Sequence, residues 1–218
     1  MNVLRAIIFD MDGVITMTMP SHFRAWAKVF ADEGICVSKF EVYTREGQKG
    51  LNSVLEIFAE QGRAISLKQA KRLLEKKERI FKATAAIRFV PGARSFIKEC
   101  DRKGIQLALV TGTARSEVIK ILPKSLLDRF DAIISGSDVK HGKPHPEPYQ
   151  KAIKALKISR GEAFVVENAP FGITSAIKAG LFCVAIETSL PRAYLKDADE
   201  IIHDYKGLRK ILVRRGVR

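Results

Sequence analysis

Cysteine and long apolar runs are both scarce in this sequence of 218 residues. The three cysteines, Cys36, Cys100 and Cys183, lie far apart and form no Cys-x-x-Cys pair. Their odd number and wide spacing argue against a disulfide framework or a zinc site and indicate reduced thiols in a reducing compartment. No apolar run approaches the roughly 20 residues that cross a bilayer, so no membrane span is predicted.

Leader sequences, repeats and nucleic-acid signatures are also missing. The chain starts with an apolar segment and shows no charged and then apolar leader, which predicts a soluble, cytoplasmic protein. The formal net charge of +14 attracts phosphates, whether on small metabolites or on nucleic acid. No recognition-helix signature and no aromatic-studded basic strand accompanies this charge, so nucleic acid is not the expected partner.

What the sequence does contain is an alternation of short apolar segments and amphipathic helices. Strands are predicted at residues 3–9, 105–110, 132–134, 163–166, 183–186 and 200–203. Strands separated by helical segments form parallel sheets with crossover helices. The predicted fold class is therefore α/β, with a Rossmann-like parallel sheet as its core.

Between the first and second strands the sequence predicts helices and no convincing strand. The helices are expected near residues 21–33, 46–61 and 67–85, and Ser66 with Gln69 forms a capping box for the third. This interval predicts an inserted all-helical domain over residues 17–88, with residues 1–16 and 89–218 as the α/β core domain. Its hinges are expected near residues 16–20 and 87–91.

Two aspartates, Asp10 and Asp12, follow the first strand and enter a turn at Gly13. Ligands of open α/β sheets bind at the carboxyl ends of strands. Two carboxylates at that point can share a magnesium ion, attack a phosphorus atom and handle a proton. Taken alone, Asp-x-Asp-Gly is equally an ordinary polar turn, because turns favour Asp and Gly.

Three further polar elements follow later strands. The pair Thr111-Gly112 can present a hydroxyl and backbone N–H groups to an anion. Lys143 lies in a turn, where it can neutralise a phosphate, and Pro144 after it is a candidate first residue of a helix. The pair Glu167-Asn168 supplies oxygens of the type that magnesium prefers. All of these groups are predicted to converge on one edge of one sheet.

In the order and spacing of these elements, and in the segment 165–180, the chain resembles the haloacid dehalogenase superfamily of phosphatases and phosphomutases. The similarity is greatest to the branch with β-phosphoglucomutase and phosphoglycolate phosphatase. The helical insertion resembles the small cap domain of that family, which is expected to select the substrate.

The resemblance implies that Asp10 is the nucleophile, which forms an aspartyl phosphate, and that Asp12 is the general acid and base. The implied ligands of a magnesium ion are Asp10, the backbone carbonyl of Asp12, Asn168, and Glu167 as its alternative or partner. The implied phosphate-binding groups are Thr111, Gly112 and Lys143. The family usually has aspartate where Asn168 stands, and asparagine keeps an oxygen but removes one negative charge.

Three side chains of the insertion complete the predicted site. His22 resembles a histidine that assists the acid–base residue in mutases and in several phosphatases. Lys77 lies beside the apolar face of its helix and either reaches over the site to bind phosphate or extends its amine to solvent. Lys49 precedes Gly50, which stands where the mutase pattern has arginine, and can substitute for that arginine.

The sequence therefore predicts a magnesium-dependent phosphatase that hydrolyses a small phosphorylated metabolite, as a monomer or homodimer. Asp12 argues against a dehalogenase, because displacing halide needs no general acid. A β-phosphoglucomutase-type phosphosugar mutase is the alternative, and Gly50 weakens it because a mutase needs a second phosphate site. A nucleic-acid-binding module and a catalytically silent scaffold are the remaining alternatives.

Overall fold

The computed structural model describes residues 3–217; residues 1, 2 and 218 of the predicted core domain lie outside it. Its six strands are Ala6–Phe9 (β1), Gln106–Val110 (β2), Ala132–Ile134 (β3), Ala163–Glu167 (β4), Phe182–Ile186 (β5) and Glu200–Ile202 (β6). They form one sheet in the order β3-β2-β1-β4-β5-β6, and every neighbouring pair is parallel. The predicted α/β class and the Rossmann-like sheet are confirmed.

Ten α-helices accompany the sheet within the described residues. They are Met19–Ala31 (α1), Lys39–Thr44 (α2), Gly50–Glu60 (α3), Leu67–Thr84 (α4), Ala93–Arg102 (α5), Arg115–Ile121 (α6), Lys124–Leu127 (α7), Glu147–Leu156 (α8), Pro170–Lys178 (α9) and Tyr205–Arg214 (α10). Helices α1 to α4 lie between β1 and β2 and pack on one another. The division into core and cap domains stays a prediction. Over residues 3–217 there is no helix both long and apolar enough for a membrane span.

The strands are apolar on both sides because both faces of the sheet are covered. In β1, Ile8 packs in a cluster with residues of α1, α8 and α9, whereas Ile7 and Phe9 pack in a second cluster with residues of α5 and α10. All four residues of β1 are fully buried. Burial on both faces explains why the strands are continuous apolar runs rather than alternating ones.

Pro144 does not begin a helix, so that prediction is wrong. It lies in a turn, and α8 begins at Glu147. The Glu147 carboxylate accepts hydrogen bonds from the backbone N–H groups of Lys140 and His141, each at 2.8 Å. The loop that contains Lys143 is therefore attached to the first turn of the helix that follows it.

The helix predicted over residues 46–61 begins only at Gly50, and residues 45–49 form a loop. Helix α2, which precedes this loop, is absent from the sequence prediction. Its signal is nevertheless present, because Ser38 and Glu41 form a capping box. The capping box predicted for Ser66 and Gln69 is confirmed at the start of α4.

Two chain segments connect α1–α4 to the sheet, and they run side by side. The Met17 N–H donates to the Arg88 carbonyl at 2.7 Å, and Thr16 forms an isolated antiparallel bridge with Phe89. Both segments lie in the predicted hinge regions, whose hinge role stays a prediction. This pairing holds the helical insertion next to the carboxyl ends of β1 and β2.

Candidate active site

A buried lysine joins two carboxylates at the carboxyl ends of β1 and β4. Lys143 Nζ donates to Asp10 Oδ1 and to Glu167 Oε1, each at 2.6 Å, and to the Val110 carbonyl at 3.3 Å. All three charged side chains are about 1% exposed. Buried charges are tolerated only when they are paired, so these contacts hold the ammonium group beside Asp10. Burial lowers the pKa of Lys143, but the two carboxylates more than offset this and raise it above its usual value.

The Asp10 carboxylate has one oxygen that is not paired. The pKa of Asp10 is raised to about 8, chiefly by burial and also by Glu167 and Asp12, while Lys143 opposes them. Its Oδ2 is buried, and among residues 3–217 it has no hydrogen-bond partner. Leaving a buried oxygen unsatisfied costs about 1–3 kcal/mol, so this atom is poised to bind a group from outside the chain.

Asn168, just beyond β4, presents a second such oxygen. Its amide nitrogen donates to Ser189 Oγ at 2.9 Å, which turns Oδ1 away from that contact. Oδ1 is buried, and within the described part of the chain it has no partner either. Strands β1 and β4 are neighbours, so Asp10 and Asn168 follow adjacent strand ends. Two unsatisfied hard oxygens of this kind fit a magnesium ion.

The Glu167 carboxylate is fully engaged with the protein itself. Its Oε1 accepts from Lys143 and from the Tyr149 hydroxyl, and its Oε2 accepts from the Asn168 N–H at 3.0 Å. A side chain at Gly172 would lie about 2.0 Å from Oε1, so this packing requires glycine. The structure therefore places Glu167 as a partner of Lys143, and its role as the alternative or partner of Asn168 at a metal ion stays a prediction.

A magnesium ion would accordingly rely on few side chains. No group of three or more His, Cys, Asp or Glu residues is placed to hold a metal ion in the stretch from residue 3 to residue 217. Asp10 and Asn168 supply two oxygens, and magnesium commonly retains several waters and takes only one or two carboxylates from the protein. The residues present fit such an ion. Tyr149 is a site residue that the sequence analysis misses, because only the packing of α8 places it near Glu167.

Asp12 is surrounded by hydrogen-bond donors. Its Oδ1 accepts from the Thr18 hydroxyl and lies 3.3 Å from His22 Nε2, and its Oδ2 accepts from the Thr113 hydroxyl at 3.1 Å. Burial pushes the pKa of Asp12 upward, but His22 and the hydrogen bond from Thr18 prevail and hold it below its usual value. The sequence analysis does not identify Thr18 and Thr113 as site residues. The only sequence signal for them is their position, since Thr18 follows the Asp-x-Asp element within a few residues and Thr113 directly follows Thr111-Gly112.

Lys77 continues this line of contacts into the insertion. Its Nζ lies 2.9 Å from His22 Nδ1 and 5.2 Å from the ring centroids of Trp26 and Phe81. With a proton on Nε2, His22 accepts from Lys77 and donates to Asp12. Burial lowers the pKa of His22, Lys77 lowers it further, and Asp12 opposes both. Lys77 is 9% exposed, so its amine faces the site and the solvent-directed alternative is wrong.

The remaining predicted residues lie where the insertion meets the core. Thr111 is buried, and its hydroxyl accepts from the Thr113 N–H at 3.1 Å. A Cβ on Gly112 would lie 2.6 Å from the Gly47 carbonyl oxygen, so the 45–49 loop packs directly on this position. Lys49 Nζ donates to the Val139 carbonyl at 2.5 Å. Its ammonium group therefore binds the core loop after β3.

A cavity of about 260 Å³ lies between the insertion and the sheet. Its lining includes His22, Lys77 and Phe81 from the insertion, and Gly112 and Thr113 from the core. The cavity therefore extends from His22, which contacts the predicted acid–base group Asp12, to the predicted phosphate-binding residue Gly112. Its size suits a small molecule.

Comparison with known proteins agrees with this geometry. A family model described as haloacid dehalogenase-like hydrolase matches residues 4–180. A Thermotoga maritima protein named phosphorylated carbohydrates phosphatase is 33% identical over 186 residues, which cover 82% of each chain. The Bacillus subtilis beta-phosphoglucomutase is 28% identical over 200 residues, 86% of this chain and 85% of that one.

Two further matches differ in how much of the other protein they cover. A solved structure from Bacteroides vulgatus, provisionally described as a beta-phosphoglucomutase, has a TM-score of 0.87 and 29% identity, and the match covers 98% of this chain and 90% of that one. The Arabidopsis thaliana protein SUPPRESSOR OF QUENCHING 1, chloroplastic, is 32% identical over 201 residues. That match covers 88% of this chain but 19% of the plant protein, which is much longer.

Proposed function

The chain belongs to the haloacid dehalogenase-like hydrolase family and is a phosphatase enzyme, and we propose that it hydrolyses small phosphomonoesters with magnesium through an aspartyl phosphate. The observation that carries this proposal is the pair formed by Asp10 and Lys143. One Asp10 oxygen is held by the ammonium group at 2.6 Å, and the other has no partner within residues 3–217. A carboxylate in that state is both positioned and free to react.

In the first step, an Asp10 oxygen attacks phosphorus and the bond from phosphorus to the ester oxygen breaks. Asp12 enters this step in its protonated form, which the negative charge of a bound phosphoryl group favours by raising the pKa of the carboxyl group. It gives its proton to the departing oxygen, so the leaving group departs as a neutral alcohol. In the second step, water attacks the phosphorus of the aspartyl phosphate and loses a proton to Asp12. The bond to Asp10 breaks, which releases inorganic phosphate and restores both carboxyl groups.

The surrounding groups offset the charge of the transferring phosphoryl group. Lys143 supplies a fixed positive charge, and Thr111 with the Gly112 N–H supplies hydrogen-bond donors at the end of β2. Asp10 and Asn168 would hold the magnesium ion, which supplies positive charge at the phosphoryl oxygens when bound. His22 and Lys77 orient Asp12 from the insertion, with Lys77 also available to an anion in the cavity.

The test is phosphate release from p-nitrophenyl phosphate and a panel of metabolite phosphomonoesters, with magnesium and with excess chelator. We expect turnover that requires magnesium and that is lost in Asp10→Asn. This variant keeps an oxygen beside Lys143 but removes the nucleophile. A folded wild-type protein that releases no phosphate from any ester with magnesium present would refute the proposal.

The mutase alternative is supported by the similarity to beta-phosphoglucomutases. Against it, Gly50 packs on Leu74, where a Cβ would lie 2.5 Å from Cδ1, and the Lys49 ammonium is bound to the Val139 carbonyl. Both contacts weigh against a second phosphate site at these two positions. Interconversion of glucose 1-phosphate and glucose 6-phosphate faster than phosphate release would establish the mutase instead.

A further inference from the structure

The 45–49 loop of the insertion lies directly on the reacting groups. A Cβ on Gly47 would lie 2.3 Å from Lys143 Cδ, and a Cβ on Gly112 would lie 2.6 Å from the Gly47 carbonyl oxygen. Gly47 has a φ of +78°, which glycine adopts readily. The backbone of this loop therefore covers the phosphate-binding groups, and its neighbouring side chains line the cavity that a leaving group would fill.

Glu46 is the residue of this loop whose carboxyl group has no bonding partner in the described part of the chain. It lines the cavity, and over residues 3–217 its carboxylate has no hydrogen bond or ion pair. Most other charged groups of the lining have partners. Arg45 pairs with Glu60, and Glu117 pairs with Lys82 at 3.0 Å.

The surroundings of Glu46 disfavour negative charge. Burial raises the pKa of Glu46 well above its usual range; Asp12 and Asp10 raise it further, whereas Lys143 and Lys77 oppose them. Burial, Asp10 and Asp12 would also disfavour a second negative charge on a substrate whose leaving group lies next to Glu46 in the cavity. A hydroxyl group meets no such penalty, and it can donate a hydrogen bond to Glu46 in either protonation state.

We propose that Glu46 is the specificity-determining residue of the leaving-group site, and that it selects uncharged, hydroxyl-bearing leaving groups over leaving groups that carry a second negative charge. This inference rests on the proposed phosphatase function and names its substrate class. Glu46 would contact the leaving group rather than the phosphoryl group, so it acts on the choice of substrate. Exclusion of a second anion also accords with the position of Lys49, whose ammonium is held by the core loop.

The experiment compares two esters of similar size. Glycerol 1-phosphate has a neutral, hydroxylated leaving group, and 2-phosphoglycolate has an anionic one. The ratio of kcat/KM for the first to that for the second is measured in the wild type, Glu46→Gln, Glu46→Ala and Glu75→Gln. Glu75→Gln is the matched control, because it makes the same substitution at an exposed position of α4.

We expect the wild type to prefer glycerol 1-phosphate, and Glu46→Ala to lower that ratio by about tenfold, because the hydrogen bond to the hydroxyl group of the leaving group is lost. Glu46→Ala should raise KM for glycerol 1-phosphate by about tenfold, and Glu46→Gln should largely rescue it, because the amide still accepts a hydrogen bond. A purely structural role would lower kcat for both esters together. Glu75→Gln should leave the ratio at its wild-type value.

The outcomes separate the two proposals. A wild type that hydrolyses p-nitrophenyl phosphate but prefers phosphoglycolate overturns the role of Glu46 and leaves the phosphatase function standing. An unchanged ratio in both Glu46 variants does the same. A wild type that hydrolyses no ester overturns both proposals. The wild-type preference is itself decisive if a Glu46 variant does not fold.

Discussion

Two parts of the candidate site are built in different ways. The core cluster is formed by Asp10, Lys143, Glu167 and Tyr149. It comes from strand ends, a loop and a helix of the sheet region, and each member is buried. The bridging line, formed by Lys77, His22 and Asp12, runs from α4 through α1 to the end of β1. The side-chain contacts of the proposed nucleophile thus come from the sheet region, whereas those of the proposed acid–base group come from the insertion as well.

Because of this difference, we expect substitutions in the two regions to affect the free energy of unfolding and the turnover number to different extents. The core cluster contains three charges about 1% exposed, so disturbing it leaves charge buried without a partner. The bridging line ends at a cavity and depends on how the insertion sits on the core. Substitutions in the core cluster should therefore affect folding and activity together, and substitutions in the bridging line should affect activity more than folding.

The largest effect is expected for Lys143→Met, which leaves the carboxylates of Asp10 and Glu167 buried without their cation. The free energy of unfolding should fall by about 3–5 kcal/mol, and turnover should be lost. Urea denaturation and phosphate release measure the two effects. Lys154→Met, at an exposed position of α8, is the control and should change neither. If Lys143→Met lowered the free energy of unfolding by less than about 1 kcal/mol, the core cluster would be no more important for stability than the bridging line.

The next largest effect is expected for Gly47→Ala, which tests the contact between insertion and core. The new Cβ would lie 2.3 Å from Lys143 Cδ, so the loop or the lysine must move. A displacement of this kind near the reacting atoms should lower kcat/KM by about a hundredfold. Gly62→Ala has the same backbone strain, with a φ of +65°, but open space around its Cβ. Equal losses of activity in the two variants would assign the effect to backbone strain alone.

A moderate effect is expected for His22→Phe, which breaks the bridging line. The new ring can still stack on Phe81, whose centroid lies 4.2 Å from that of His22, but it has no nitrogen to join Lys77 to Asp12. We expect kcat to fall by about tenfold, while the free energy of unfolding changes by about 1 kcal/mol. His203→Ala, at an exposed histidine, serves as the control. A stability loss as large as that of Lys143→Met would contradict the comparison.

The smallest effect is expected for Lys82→Met, at the outer edge of the same interface. Lys82 on α4 pairs with Glu117 on α6 at 3.0 Å, but its side chain is 45% exposed. Exposed ion pairs contribute about 0–1 kcal/mol, so stability and kcat/KM should both remain close to wild type. At high salt, where exposed ion pairs are screened, Lys82→Met and the wild type should again have similar values of kcat/KM. A decrease in kcat like that of His22→Phe would show that this ion pair also positions the acid–base group.

The sheet was predictable because its signal is local. Six apolar segments bounded by polar turns placed all six strands, and the first differs most, since it begins at Ala6 rather than at residue 3. The start of α8 was less predictable. The turn at Pro144 and the helix start at Glu147 depend on backbone N–H groups at residues 140 and 141 that bind the Glu147 carboxylate, and these contacts have no periodic pattern.

By itself, the sequence determined which chemical groups follow which strands: Asp10 and Asp12 after β1, Thr111 after β2 and Asn168 after β4. Parallel pairing then requires that these strand ends share one edge of the sheet. Only the tertiary structure decided that Glu167 binds Lys143 and Tyr149 and that Lys77 reaches Asp12 through His22. Such pairings join residues far apart in the chain, and they depend on side-chain directions and on the packing of whole helices, which hydrophobic periodicity does not encode.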